Sequence, residues 1–229
     1  KASKMKRVTF ATLTLFSLLG LQACSKVEQQ GEENPVQESS IESKNEIVFY
    51  PTIDNEWIGL GIAYGSYRDG ESPDKKSVSS EEDILEDLTI LTTGGDIKWN
   101  LIRMYAADAA SEQVLKTIRK HNLPVKVMQG AWLDGKDPIE TNNEQVDELI
   151  RFANEYDDII VAVNLGNEIL VDWSYHKFAV EEIPMYLEWV DKVKSAVKQP
   201  VTLADDYNFY NKPWSQQVTE KLDFIVLHA

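Results

Sequence analysis

From about Ile47 onward the chain alternates short apolar runs with amphipathic runs of helical period, and this alternation restricts the possible folds more than any other feature of the sequence. The apolar runs, read as strands, are Trp57 to Tyr64, Asn100 to Tyr105, Val125 to Gln129, Ile159 to Val163, Val201 to Ala204 and Phe224 to Leu227. Between them, Ser80-Glu81-Glu82-Asp83 opens a helix that carries Ile84, Leu85, Leu88 and Leu91 at helical spacing. Ser111 opens a second over Val114, Leu115 and Ile118, and Asn143-Glu144 precedes a third with Val146, Leu149, Ile150 and Ala153. Two later helices are expected from Pro184 to Val197 and from Pro213 to Leu222, each with proline in the first turn, where its missing N–H is no loss. Six β units joined by helical crossovers argue for a parallel sheet.

A parallel sheet is either open and doubly wound or closed into a barrel. The first strand runs into Tyr64-Gly65-Ser66-Tyr67-Arg68-Asp69-Gly70, which lacks the Gly-x-Gly-x-x-Gly of a nucleotide-binding turn. Polar and aromatic residues recur at nearly every strand end: Tyr64, Arg103 and Tyr105, Trp132 and Asp134, Asn167 and Glu168, Asp205 to Asn208, and His228. A barrel gathers those ends at one mouth, whereas an open sheet scatters them. The expectation is therefore a (β/α)8 TIM barrel. Eight strands are needed to close it, and the sequence reaches His228-Ala229 directly after the sixth. Only the first six β units are expected in this chain, with the seventh strand beyond Ala229.

The run Ile159-Ile160-Val161-Ala162-Val163 ends in Asn164-Leu165-Gly166-Asn167-Glu168, a strand delivering an acid beside an amide at its C-terminal end. Strand-end glutamates also serve as caps or ion-pair partners. In a parallel barrel, however, that end is where an active site collects, and a carboxylic acid there can protonate a leaving oxygen. The histidines His121, His176 and His228 lie on different units without metal-ligand spacing, so no metal is expected, and nothing calls for a cofactor.

The formal net charge of -15 repels phosphates and anionic lipid, which excludes nucleic acid as a natural partner. Residues 1–23 hold a basic Lys4-Met5-Lys6-Arg7, an apolar stretch from Val8 to Leu21 and then Leu21-Gln22-Ala23-Cys24, the regions of a secretory signal. Met5 reads as the start, so Lys1 to Lys4 are upstream residues. Cys24 is the one cysteine in the sequence. Leu-x-Ala-Cys resembles a bacterial lipobox, which implies that Cys24 is lipidated and anchors the protein to a membrane; Ser25 after it resembles lipoproteins sent to an outer membrane. Residues 24–46 have few apolar side chains and no period, and are expected to form a disordered tether ahead of a catalytic domain over 47–229. The expected location is the cell envelope, at the outer membrane or in the periplasm of a Gram-negative bacterium.

Gly61-Ile62-Ala63-Tyr64-Gly65 with Arg68-Asp69-Gly70, Ile102-Arg103-Met104-Tyr105, Val127-Met128-Gln129-Gly130-Ala131-Trp132, Gly166-Asn167-Glu168, Ala204-Asp205-Asp206-Tyr207 and Ile225-Val226-Leu227-His228 resemble bacterial members of glycoside hydrolase family 17. The motifs stand in the family's order from about Trp57 to the end. The resemblance implies a (β/α)8 barrel with catalytic acids on the fourth and seventh strands, acting on β-1,3-glucan polysaccharide or oligosaccharide with retention. By motif Glu168 matches the general acid/base and Asn167 the amide that binds the sugar 2-hydroxyl. Arg103 would orient the nucleophile or pair with a structural acid. Tyr64, Tyr105 and Trp132 would stack on sugar rings or pack the rim. His228 would stand near the reacting sugar or be a satisfied rim residue, and Asp206 is the preferred candidate from the polar cluster after the fifth strand. The nucleophile is implied on the seventh strand. Two other readings stand beside hydrolysis: a non-catalytic glucan-binding surface lipoprotein, and a β-glucan transglycosylase in which a sugar intercepts the glycosyl-enzyme.

Overall fold

The computed structural model describes residues 60–229 together with the strand residues Thr52–Ile53 and Glu56–Trp57. The expected signal segment over 1–23, Cys24 and the expected tether over 24–46 lie outside the described residues. Six strands form one parallel sheet: β1 (Gly61–Ala63), β2 (Leu101–Arg103), β3 (Lys126–Ala131), β4 (Ile160–Asn167), β5 (Val201–Asp206) and β6 (Val226–His228), paired in sequence order. Strand order that follows chain order is the signature of a singly wound barrel, not of a doubly wound sheet, whose order reverses. The sheet curls into a half-barrel, with helices α1 (Glu81–Thr93), α2 (Ala109–His121), α3 (Ile139–Glu155) and α4 (Ile183–Ala196) as crossovers.

The core lies between sheet and helices. α1 buries Ile84 and Leu88, α2 buries Val114, Leu115 and Ile118, α3 buries Val146, Leu149 and Phe152, and α4 buries Tyr186, Val190 and Val193. The spacing of three and four places each set on one face. β4 is buried along almost its whole length, as a central parallel strand covered on both faces must be. β1 and β6 are the edges, and Leu60, Ile225 and Leu227 remain exposed beside them.

Several boundaries differ from expectation, each for a local reason. Trp57 belongs to a separate two-residue antiparallel ladder, opposite Thr52, so β1 starts only at Gly61. α2 is capped by Asp108, whose carboxylate accepts from Ser111 N–H at 2.9 Å, while the Ser111 hydroxyl turns back to the Ala106 carbonyl. α3 starts a turn early, after Pro138, so Asn143 lies inside the helix, where its side-chain oxygen accepts from the Trp189 indole N–H at 2.8 Å and caps nothing. The fifth crossover is broken into α5 (Tyr207–Tyr210), a 3-10 turn (Pro213–Ser215) and α6 (Gln216–Thr219).

Candidate active site

Backbone geometry sets the direction of Glu168. Against β3, β4 shifts register once, between Val127 and Met128, and is then in step from Met128 opposite Ala162 to Ala131 opposite Leu165; against β5 its register slips between Asn164 and Asn167, just ahead of Glu168. A bulge of this kind re-aims the side chain that follows. Gly166 lies at φ +99°, which glycine adopts freely, and Glu168 itself at φ +54°. A left-handed non-glycine residue costs on the order of 1 to 3 kcal/mol and persists only where its surroundings over-determine it. Here the peptide joining Asn167 to Glu168 is held at both ends: Glu168 N–H donates to the Ala204 carbonyl at 2.8 Å, and His176 Nε2 lies 2.7 Å from the Asn167 carbonyl oxygen.

The side chains then interlock across alternate strands. His228 on β6 places Nδ1 at 2.8 Å from Glu168 Oε1, and Arg103 on β2 places Nη1 at 3.3 Å from His228 Nε2. Guanidinium groups only donate, so Nε2 accepts and the ring proton sits on Nδ1, pointing at Glu168. Arg103 Nη2 donates to Asn167 Oδ1 at 2.7 Å, and its guanidinium stands over the Tyr105 ring at 4.7 Å. With its oxygen committed to Arg103, Asn167 is left to present its NH2 group, a donor suited to a hydroxyl oxygen. Burial pushes the Arg103 guanidinium below its ordinary value, opposed by Tyr105 and the Glu168 carboxylate. β2, β4 and β6 are alternate strands, the set that contributes one layer of a barrel interior.

Asp205 lies behind this layer, wholly buried. Its two oxygens accept from Leu170 N–H and Asp206 N–H, each at 2.8 Å. Burial pushes its carboxyl up to about 6; the backbone bonds hold it down, the Glu168 charge raises it and His228 lowers it. Asp206, by contrast, caps α5 with Oδ1, which accepts from Asn208 N–H at 2.8 Å.

Beside the acid opens a cleft of about 780 Å3, bordered by Tyr64, Tyr67, Tyr105, Trp132 and Asn167. The Tyr64 hydroxyl donates to Asp87 at 3.1 Å, and Asp87 is gripped by Arg68 at 2.7 Å, which fixes the Tyr64 ring against α1. Burial and then Asp87 push that phenol well above its ordinary range. Trp132 is 37% exposed, with its backbone N–H held by Gln145 Oε1 at 2.9 Å and its indole 4.8 Å from the His176 ring.

The structure thus brings Glu168, Asn167, Arg103, His228 and Tyr105 into one connected group. Tyr64 and Trp132 flank the cleft, and Asp206 is occupied by its cap. Sequence reasoning gave no site role to His176 or Gln145, and within the polar cluster after the fifth strand it preferred Asp206 to Asp205. Asp205 was legible in principle, since an Asp two residues ahead of an Asn at a strand end is a cap in waiting and frees its neighbour for other work. His176 and Gln145 carry no local signal.

Several solved structures share this architecture. An endo-laminarinase from a Formosa strain matches with a TM-score of 0.63 at 24% identity, over 74% of this chain and 49% of that one. The glycoside hydrolase family 17 β-1,3-glucanosyltransferase from Rhizomucor miehei matches with a TM-score of 0.55 at 19% identity, over 74% of this chain and 56% of that one. An active-site mutant of the same transferase, in complex with laminaritriose, matches with a TM-score of 0.56 at 19% identity over the same shares. The fold is that of part of a (β/α)8 barrel. This chain spans about half the length of those structures. No family model and no curated protein matches the sequence.

Proposed function

We propose that this chain is part of a retaining glycoside hydrolase acting on β-1,3-glucan, with Glu168 as general acid and then general base. The observation that carries the reading is the connected group at the mouth, in which Arg103 and His228 orient Glu168 and Asn167 beside a cleft walled by tyrosine and tryptophan. Aromatic rings present flat apolar faces with a polar edge, which suits pyranose rings, and Asn167 offers an amide N–H to a sugar hydroxyl. The similar barrels of a laminarinase and of a transferase that holds laminaritriose point to the same substrate class. The nucleophile is assigned to no residue of this chain.

Transfer to a second sugar is the alternative, supported by the likeness to the glucanosyltransferase. Both outcomes use one glycosyl-enzyme and differ in whether water or a hydroxyl resolves it. Incubating the full natural protein with a laminarin-type oligosaccharide and sizing the products separates them. Shorter products with new reducing ends mean hydrolysis, and products longer than the donor mean transfer. Binding without turnover would leave a glucan-binding lipoprotein, and neither binding nor turnover would end the proposal.

The lipobox-like Leu21-Gln22-Ala23-Cys24 supports acylation of Cys24 and a place in the envelope of a Gram-negative cell, at the outer membrane or facing the periplasm. Cys24→Ala then leaves the protein in the aqueous phase on detergent partitioning and unlabelled by fatty acid. Equal labelling of both proteins would count against the anchor.

A further inference from the structure

The loop between β4 and α4 returns to the site that β4 has just built. His176 sits in it, with two different surfaces engaged. Its Nε2 lies 2.7 Å from the Asn167 carbonyl, so this nitrogen carries the proton and donates, while Nδ1 is 3.4 Å from the Ser174 hydroxyl. Its ring lies 4.8 Å from the Trp132 indole at 34°. The backbone of the same residue is fixed from the β3 side, since Gly135 N–H donates to the His176 carbonyl at 2.9 Å. That approach admits only glycine at 135, where a Cβ would fall 2.4 Å from the Lys177 carbonyl oxygen. The imidazole is thus clamped between a wall of the cleft and the peptide that carries the acid.

We infer that His176 is a positioning residue with two separable duties: its Nε2–H locks the Asn167–Glu168 peptide in the orientation that aims Glu168, and its ring backs Trp132 as a sugar platform. The inference rests on the reading of Glu168 as the acid and of Trp132 as a substrate contact. The first duty follows from the left-handed φ of +54° at Glu168. That conformation is strained, and rotation of the 167–168 peptide relieves it. Two hydrogen bonds oppose the rotation, one from Glu168 N–H to Ala204 and one from His176 to the Asn167 carbonyl. Without the second, the Asn167 carbonyl loses the His176 donor and the peptide is freer to turn, which takes the Glu168 carboxylate away from His228. The second duty follows from the ring contact, which removes one face of Trp132 from solvent and limits its rotamers.

Two substitutions divide the duties. In His176→Gln the side-chain amide nitrogen can reach the Asn167 carbonyl, but no ring backs Trp132. In His176→Phe the ring is kept and the donor is lost. In the full natural protein acting on unactivated glucan, His176→Phe lowers kcat by about 10²-fold, the lower end of a general acid's contribution, with KM little changed. With an aryl glycoside whose leaving group needs no proton, its glycosylation step stays near wild type. His176→Gln keeps kcat and raises KM severalfold. A general loss of structure would lower both substrates alike in both variants, and that outcome, or a His176→Phe protein indistinguishable from wild type, overturns the inference. A crystal structure of His176→Phe gives a reading independent of substrate. A turned 167–168 peptide with Glu168 released from His228 supports the positioning role even if wild type proves inert to glucan, which would sink the functional reading alone. An unmoved peptide overturns the positioning role whatever the substrate is.

Discussion

On the proposed reading, Glu168→Gln in the full natural protein lowers turnover of unactivated β-1,3-glucan by about 10² to 10⁴-fold while leaving the fold unchanged. The amide is isosteric with the acid, and its oxygen still accepts from His228 Nδ1, the bond that measures 2.8 Å in the native site. What disappears is the transferable proton. Glycosides whose leaving group departs as a stable anion need no proton in the first step, so their glycosyl-enzyme still forms, as an initial burst. Its hydrolysis is then slow, because the same residue acts as base in the second step of a retaining mechanism. Added azide, a nucleophile that needs no base, restores turnover. The measurement is a pair of progress curves, one on glucan and one on a dinitrophenyl glycoside, with and without azide. Equal loss on both substrates with no azide effect would move Glu168 from proton transfer to substrate binding.

The architecture was legible because period alone carries it. Ile84 to Leu91 and Val146 to Ala153 repeat at helical spacing, Ile159 to Val163 is an uninterrupted apolar run, and a chain that alternates the two has few ways to fold. Boundaries were less legible, because a capping residue is chosen by three-dimensional competition. Ser111 and Asn143 both look like caps, yet one hydroxyl turns to the Ala106 carbonyl and the other side chain serves Trp189, 46 positions away along the chain. The site divides in the same manner. Arg103, Asn167, Glu168 and His228 could be found because each stands at a strand end, and the rule that alternate strands share a barrel layer places the first, second and last of them together. His176 could not, since it lies in a loop whose path is fixed by the approach of Gly135 to Lys177, a contact that no periodicity encodes. Asp205 and Asp206 are adjacent and chemically identical; only burial separates the one inside the barrel wall from the one on the rim.

Asp205→Asn costs more stability at pH 4 than at pH 7, by about 2 kcal/mol. In the folded protein burial pushes the Asp205 carboxyl up to about 6, whereas an aspartate in an unfolded chain titrates near about 3.9. Between those values the native state keeps a proton that the unfolded state has released, so the contribution of this group is whole below about pH 4 and is lost as pH rises through about 6. Asparagine has no such window. It also gives up one of the two acceptors that serve Leu170 and Asp206, but that loss is the same at every pH and drops out of the comparison. Urea unfolding of both proteins at pH 4 and pH 7 measures the difference, and a constant gap would mean that the buried carboxyl titrates as an exposed one does. The result also reports on the neighbour. Glu168 is among the charges that raise Asp205, so in a Glu168→Gln background the folded value falls and the gap between the two pH values narrows.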